Sequence, residues 1–139
     1  MRILLADDHA MLRSGLRRII ADAFPEAQIA EVSSCDELLE RVRESDWSVL
    51  VLDIALGERN SLDLVPELRA LRRQLPIVVL SMYKERQFVI RALRAGVAGY
   101  VTKDRAPEEL LEAIRAVLQH KRYLSESVAS QIAEYVALG

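Results

Sequence analysis

Five polar residues of this 139-residue sequence stand where apolar runs end, and their types suit chemistry on a phosphoryl group. They are Asp7 and Asp8, Asp53, Ser81 and Lys103. Two carboxylates about 4 Å apart repel by about 4 kcal/mol at an effective dielectric constant of about 20, so a cluster of carboxylates needs a cation. Mg²⁺ prefers carboxylate and water oxygens, and a lysine ammonium is a common partner of phosphate. The set predicts a magnesium-dependent phosphoryl-transfer site if the fold brings these residues together.

The apolar runs that these residues follow or close have the pattern of buried strands. Three of them are almost continuously apolar and rich in β-branched residues, namely Ile3–Ala6, Val49–Leu52 and Ile77–Leu80. Strands buried on both faces of a parallel sheet have this pattern. Two weaker runs, Gln28–Val32 and Ala98–Val101, bring the predicted number of strands to five.

Helical patterns alternate with the predicted strands. Three of them are given by Leu12, Leu16, Ile19, Ile20 and Ala23; by Leu64, Leu68, Leu71 and Leu75; and by Leu110, Ile114, Val117 and Leu118. Each set places apolar side chains on one face of a helix. Ser34 and Glu37 form a capping-box pattern for the second helix, Gly96 suits the end of the fourth, and Pro107 suits the first turn of the fifth.

This alternation predicts an α/β fold, a flavodoxin-like (βα)₅ doubly wound parallel sheet with strand order 2-1-3-4-5. In that order the first and third strands are neighbours, so Asp7, Asp8 and Asp53 should converge at one edge of the sheet. An extra C-terminal helix over 125–138 carries Val128, Ile132, Tyr135 and Val136 on one side. It either packs on the domain or forms a linker or dimer helix.

Composition narrows the class of protein. The net charge is −2 with basic and acidic residues mixed along the chain, so no basic stripe indicates a nucleic-acid surface. No apolar run reaches the roughly 18 residues of a membrane span, and Asp7 and Asp8 interrupt the first run too early for a signal peptide. Cys35 is the only cysteine, which excludes an intramolecular disulfide and a cysteine-based zinc site. We expect a cytoplasmic protein without membrane contact.

Each candidate site residue also has a purely structural interpretation. Asp8 alone is a good helix N-cap, Ser81 alone a turn residue, and Lys103 alone a solvated surface residue. Asp53 is harder to explain in this way, because an acid that closes a buried strand is uncommon. Their joint placement at the ends of successive strands favours a functional site.

Four segments together resemble the receiver domain of bacterial response regulators in two-component systems. They are ADDH at 6–9, VLDI at 51–54, VVLSM at 78–82 and RALRAGVAGYVTKD at 91–104. The resemblance extends over residues 1–122. It implies a phosphorylation-dependent switch and not an enzyme, with at most self-phosphorylation from small donors and slow autodephosphorylation.

The resemblance also assigns roles to individual residues. Asp53 corresponds to the phosphoacceptor, which receives its phosphoryl group from a sensor histidine kinase. Asp7, Asp8, Asp53 and the backbone carbonyl of Ala55 correspond to the groups that hold Mg²⁺.

The remaining roles concern the response to phosphorylation. Ser81 corresponds to the hydroxyl that contacts the phosphoryl group, and Lys103 to the lysine that neutralises its charge. Tyr100 corresponds to the aromatic switch that turns inward when Ser81 moves; its structural alternative is an ordinary strand aromatic.

Four segments resemble regulators with a C-terminal LuxR-type helix-turn-helix, namely DDHAMLRSGL at 7–16, LSMY at 80–83, AGVAGYVTKD at 95–104 and HKRYLSESVASQI at 120–132. This implies a receiver domain over 1–122 and a helix or linker over 123–139 that leads to a DNA-binding output domain. Transcription regulation and DNA contact would then depend on that output domain. The sequence leaves open whether the protein also forms a homodimer.

The segment after Asp53 departs from the family pattern. The sequence DIALGERNS lacks the usual Met-Pro-Gly and the later Gly, so we expect Leu56–Ser61 to follow a different backbone path. Met82 is a bulky neighbour of Ser81. Two alternatives stay open, a degenerate receiver that acts only as a protein-interaction module and a phosphatase of haloacid-dehalogenase type.

Overall fold

The computed structural model describes residues 1–138, without the side chains of Gln131 and of 134–138. The predicted helix-face positions Tyr135 and Val136 therefore lie outside the described side chains. Within the described residues the strands are β1 (Arg2–Ala6), β2 (Gln28–Val32), β3 (Val49–Asp53), β4 (Ala55–Leu56), β5 (Arg59–Asn60), β6 (Ile77–Ser81), β7 (Gly99–Thr102) and β8 (Tyr123–Leu124). The α-helices are α1 (Ala10–Ala23), α2 (Cys35–Glu44), α3 (Val65–Leu71), α4 (Arg86–Ala95), α5 (Ala106–Leu118) and α6 (Glu126–Leu138). Short 3₁₀ turns cover Ser61–Leu64 and Lys103–Arg105.

The main sheet is parallel throughout, with strand order β2-β1-β3-β6-β7-β8. The first five strands of this order are the five predicted ones, so the predicted 2-1-3-4-5 arrangement is confirmed. All residues of β3 and β6 are buried, which explains why both read as continuous apolar runs. Asp53 pairs in register with Leu80, which places the ends of β3 and β6 side by side.

Two apolar layers sandwich the sheet, because successive residues of each buried strand point to opposite faces. Leu4 and Leu50 belong to the layer covered by α2, α3, α4 and α6. Ile3 and Val49 belong to the layer covered by α1 and α5. Both faces of the sheet are thus closed, and polar side chains gather at the ends of its strands.

The predicted helix caps are confirmed. The Ser34 hydroxyl accepts a hydrogen bond from the Glu37 amide at 3.2 Å at the start of α2. Gly96 ends α4 with a φ of +100°, a left-handed conformation that favours glycine. Pro107 lies in the first turn of α5, where its missing N–H has no intrahelical partner to lose.

The prediction for the third helix was too long at its C-terminal end. It included Leu75, whereas α3 ends at Leu71. Pro76 disfavours the helical conformation for the residue before it, so Leu75 enters the core from the connection to β6. Leu75 keeps the apolar spacing of the helix although it lies outside α3. Periodicity alone therefore placed the end of the helix too far along the chain.

Three short strands were not predicted. β4 and β5 form a small antiparallel hairpin within the unusual Leu56–Ser61 segment, and Gly57 stands at its turn with a φ of +65°. β8 adds a two-residue strand beside β7, and α6 follows it directly. Val128 of α6 is fully buried in the core layer of α4.

Among the described residues, no helix combines the length and the hydropathy that crossing a membrane would require.

Candidate functional site

The acidic pocket, defined as Asp7, Asp8, His9 and Asp53, lies at the carboxyl ends of β1 and β3. Each of the four residues offers one ligand atom, and these atoms all lie within 4.8 Å of one another. The parallel pairing of β1 with β3 brings them together, since Ala6 and Leu52 are register partners one residue before the acids. The sequence predicted the convergence of the three aspartates.

Asp7 and Asp8 have different environments although they are adjacent. Asp7 is fully buried; its Oδ1 accepts the His9 amide hydrogen bond at 2.7 Å, and its Oδ2 has no hydrogen-bond partner within the described chain. Asp8 is partly exposed, and its Oδ2 accepts a hydrogen bond from the Gly57 amide at 3.0 Å. The N-cap residue of α1 is His9, which makes no side-chain capping bond, so the interpretation of Asp8 as a helix cap is wrong.

Asp53 is held through both of its carboxylate oxygens. Lys103 Nζ lies 2.8 Å from Oδ2, and the Ala55 amide donates to Oδ1 at 3.1 Å. Burial raises the pKa of Asp53; the hydrogen bond and charge of Lys103 lower it, and the charge of Asp7 raises it again. The direction of the pKa shift shows that burial outweighs the lysine.

The donor set of the pocket fits a hard divalent cation. Three carboxylates supply oxygen ligands, and the unpartnered Oδ2 of Asp7 is a buried acceptor that a cation would satisfy. The Ala55 carbonyl belongs to the hairpin strand that begins two residues after Asp53, and its role as a further ligand stays a prediction.

His9 is a member of the pocket to which sequence reasoning assigned no role. Its Nδ1 lies 3.1 Å from Asp8 Oδ1 and 3.3 Å from Asp7 Oδ1. The same nitrogen is 3.6 Å from Asp53 Oδ2. Its position directly after the aspartate pair was the available signal, but the sequence does not tell where the ring points.

Two further residues support the pocket from outside, and sequence reasoning missed both. The Ser61 hydroxyl donates to the Asp53 carbonyl at 2.6 Å, and the Ser61 amide donates to the Ile54 carbonyl at 2.7 Å. The Arg13 guanidinium donates to the Asp7 carbonyl and pairs with Glu31 of β2. Ser61 was noticed only as a departure from a family pattern, although its hydroxyl closes the loop onto the end of β3.

The two predicted switch residues meet at one residue of the connection between β6 and α4. The Ser81 hydroxyl accepts a hydrogen bond from the Tyr83 amide at 2.9 Å, and the Tyr100 hydroxyl donates to the Tyr83 carbonyl at 2.6 Å. Ser81 and Tyr100 are both buried, and burial raises the pKa of the Tyr100 hydroxyl. Met82 is largely exposed beside them. Tyr83 thus connects the hydroxyl near the pocket with the aromatic side chain of β7.

Comparison with known proteins places these features in a family. Residues 3–115 match the family described as response regulator receiver domain. Response regulator GacA of Pseudomonas viridiflava is 32% identical over 133 residues, which are 96% of this chain and 62% of that protein. Response regulator UvrY of Escherichia coli K12 is 29% identical over 96% of this chain and 61% of its own length. The chain thus spans less than two thirds of these curated relatives.

Solved structures show the same relationship. A two-component response regulator of the LuxR family from Aurantimonas sp. SI85-9A1 superimposes with a TM-score of 0.90 and 32% identity, over 98% of this chain and 97% of the other. The isolated REC domain of RcsB from Salmonella enterica serovar Typhimurium gives a TM-score of 0.84 at 25% identity, over 96% of this chain and 98% of the other.

Proposed function

Because this chain belongs to the family of response regulator receiver domains, we propose that Asp53 accepts a phosphoryl group from a sensor histidine kinase and so switches a signalling surface. Receiver domains of this family are signalling phosphoacceptors rather than enzymes in the usual sense. One observation carries the proposal. The buried carboxylate of Asp53 pairs with Lys103 at 2.8 Å while two further acids face it across the pocket.

The chemistry of transfer follows from the environment of Asp53. One carboxylate oxygen attacks the phosphorus of a phosphohistidine in line with the bond that breaks, and the imidazole nitrogen of the kinase leaves. Burial makes the Asp53 carboxylate more basic than an exposed one, as the raised pKa indicates. Lys103 is already within bonding distance of Asp53 Oδ2, so its ammonium is in place to donate hydrogen bonds to the new phosphoryl oxygens.

Asp7, Asp8, Asp53 and the Ala55 carbonyl would hold Mg²⁺ in this proposal. When bound, Mg²⁺ supplies positive charge that offsets both the repulsion of the carboxylates and the charge on the phosphoryl oxygens. The chain contributes the orientation of these oxygens. Gly57 fixes Asp8 Oδ2 through its amide, and the His9 amide fixes Asp7 Oδ1.

The coupling of the site to the surface runs through Tyr83. A phosphoryl oxygen on Asp53 would attract the Ser81 hydroxyl, which now accepts the Tyr83 amide hydrogen bond. The Tyr83 carbonyl in turn accepts the hydrogen bond of Tyr100. Loss of the bond between the Tyr83 amide and Ser81 therefore frees Tyr83 to move, and with it the carbonyl that accepts the Tyr100 hydrogen bond. The connection to α4 and the face beside β7 then rearrange together.

The output is part of the same proposal. We assign residues 1–122 to the receiver domain and residues 123–139 to a segment that leads to a DNA-binding output domain. The resemblance of segments 7–16, 80–83, 95–104 and 120–132 to regulators with a LuxR-type helix-turn-helix supports this assignment, as does the likeness to a two-component response regulator of the LuxR family. A homodimer of receiver domains is the partner assignment that stays open in this proposal.

The test is phosphorylation by a small donor. The protein is incubated with Mg²⁺ and acetyl phosphate, and the intact mass is measured before and after mild base. We expect one base-labile phosphate on the wild-type chain and none on Asp53→Asn. Asp63→Asn is the matched control, because Asp63 is exposed and pairs with Arg91 outside the pocket.

Three results would contradict the proposal. A base-labile phosphate that persists on Asp53→Asn would move the acceptor to another residue. Absence of any phosphate on the wild-type protein, with the kinase as well as with acetyl phosphate, would favour the interaction-module alternative. Steady turnover of many phosphate esters would favour the phosphatase alternative.

A further inference from the structure

His9 places a nitrogen atom among the three carboxylates of the acidic pocket. Its Nδ1 lies between 3.1 and 3.6 Å from one oxygen each of Asp7, Asp8 and Asp53. The side chain is 60% exposed, so the ring lies over the pocket instead of being packed in the core. One imidazole nitrogen and three carboxylate oxygens therefore border the same small volume.

These separations match the distances between ligands of a single metal ion. Ligands about 2.1 Å from a metal stand about 3.0 Å apart in an octahedral arrangement and about 3.4 Å apart in a tetrahedral one. The ligand atoms of all four residues lie within 4.8 Å of one another, so small side-chain rotations would bring them onto one ion. The geometry accommodates a mixed nitrogen and oxygen ligand set.

Asp7 gives independent support for a cation at this place. It is fully buried, and its Oδ2 has no hydrogen-bond partner among residues 1–138. A buried carboxylate oxygen without a partner destabilises the fold, and a bound cation removes this penalty. The pocket therefore favours a cation, and its remaining ligands decide which one.

We propose that His9 sets the metal preference of the acidic pocket, as a nitrogen ligand for ions such as Zn²⁺ and as a competitor of Mg²⁺. The inference rests on the proposed function, since it concerns the pocket of the phosphoacceptor. Imidazole suits Zn²⁺, whereas Mg²⁺ selects oxygen ligands in near-ideal octahedral geometry. Zn²⁺ can bind with the ring where it stands, but an all-oxygen shell forms only after the ring turns out into solvent.

Competition between His9 and Mg²⁺ predicts a result that a merely structural role of His9 in the pocket would not produce. Removal of the imidazole takes a ligand from Zn²⁺ and frees volume for Mg²⁺, so the two affinities should change in opposite directions. His9→Ala is suitable, because the His9 side chain makes no capping bond to α1 and its amide bond to Asp7 survives the substitution.

The experiment is isothermal titration calorimetry of the full chain with ZnCl₂ and with MgCl₂. We expect Zn²⁺ affinity to fall about tenfold or more in His9→Ala and Mg²⁺ affinity to rise. His120→Asn is the matched control: His120 is the other histidine of the sequence, exposed, with a φ of +62° that asparagine tolerates. It should change neither affinity.

Imidazole ¹⁵N NMR of the wild-type chain gives a second measurement. Zn²⁺ should shift the Nδ1 resonance of His9 and leave His120 unchanged. Equal Zn²⁺ affinity with and without His9, or a shift at His120 alone, would overturn the inference. A parallel loss of both affinities in His9→Ala would overturn it too, because it indicates general support of the pocket. Failure of wild-type Asp53 to accept phosphate would refute the proposed function and leave the zinc result standing.

Discussion

The two ends of the parallel sheet differ in how their polar groups are compensated. The amino-terminal ends of β3 and β6 border a cleft of about 610 Å³, which we call the amino-edge cleft and which is lined in part by Trp47, Arg72 and Pro76. The carboxyl-terminal ends of the same strands carry the acidic pocket and Ser81. Both ends combine charge with burial, yet only one of them has the properties of a reactive site.

Polar groups at the amino-edge cleft are satisfied by fixed partners. Arg72 donates to the carbonyls of Val42 and Arg43 at 3.0 Å each, in the last turn of α2 where carbonyls lack helical donors. The Trp47 indole donates to the Arg41 carbonyl at 2.9 Å, and the Arg2 guanidinium lies 4.7 Å from the centre of its ring. These contacts stabilise the fold, and the one buried group among them without a hydrogen-bond partner within the described residues is Arg2 Nε.

The acidic pocket is the opposite case. Three acids face one another, burial raises the pKa of Asp53, and Asp7 Oδ2 is unpartnered within the described residues. Uncompensated charge, and not the volume of a cleft, marks the functional end of this sheet.

The largest expected effect comes from Lys103→Met, which removes the cation of the reactive end. The rate of phosphorylation by acetyl phosphate should fall by about 10²–10³-fold, because the developing phosphoryl charge loses its partner. Mass spectrometry over time measures the rate. Lys84→Met is the control, since Lys84 forms a surface pair with Asp104. Loss of Mg²⁺ binding in Lys103→Met would contradict the assignment of metal binding to the acids and of phosphoryl charge to Lys103.

A smaller effect, on stability alone, should follow Arg72→Ala at the amino-edge cleft. The substitution leaves two carbonyls at the end of α2 without donors, and the free energy of unfolding should fall by about 1–2 kcal/mol. Urea unfolding measures it, and the exposed neighbour Arg73→Ala serves as the control. If the phosphorylation rate fell together with the stability, the amino-edge cleft would also contribute to reactivity, and the assigned difference between the two ends would be wrong.

The smallest effect concerns the metal-free stability of Asp53→Asn. The folded-state pKa of Asp53 is raised, so its ionisation destabilises the fold, and stability present at low pH is lost as pH rises through the raised pKa. At neutral pH and without metal the variant should be more stable than wild type, by less than the loss expected for Arg72→Ala. The difference should shrink as pH falls through the raised pKa towards the ordinary value of 3.8. Urea unfolding with a chelator across this range measures it, and a difference independent of pH would contradict the assignment.

The sequence was most informative where one physical rule dominates. Buried parallel strands must be apolar on both faces, so the five main strands and the convergence of Asp7, Asp8 and Asp53 were predictable. β8 and the β4–β5 hairpin were not, because strands of two residues are too short to carry a periodic pattern. The end of α3 was misplaced because Leu75 keeps the helical spacing while Pro76 excludes the helix.

The same limit applies to the candidate site. Residue type and strand position predicted which acids meet, since both are properties of the chain. The inward ring of His9 and the hydroxyl bond of Ser61 depend on side-chain direction, which no periodicity encodes. The shared contact of Ser81 and Tyr100 with Tyr83 depends on a loop path and was equally hidden.

β8 has a consequence for the solubility of the fold. The Ser125 amide donates to the Tyr100 carbonyl at 2.9 Å and the Ser125 hydroxyl accepts the Thr102 amide at 3.0 Å, so β7 does not present a free edge there. Val128 covers apolar surface beside it. Without the chain after residue 122, an open strand edge and an apolar patch would lie side by side, and together they promote self-association into sheets. The chain after residue 122 therefore shields the edge of β7 and reduces the tendency of the receiver fold to aggregate.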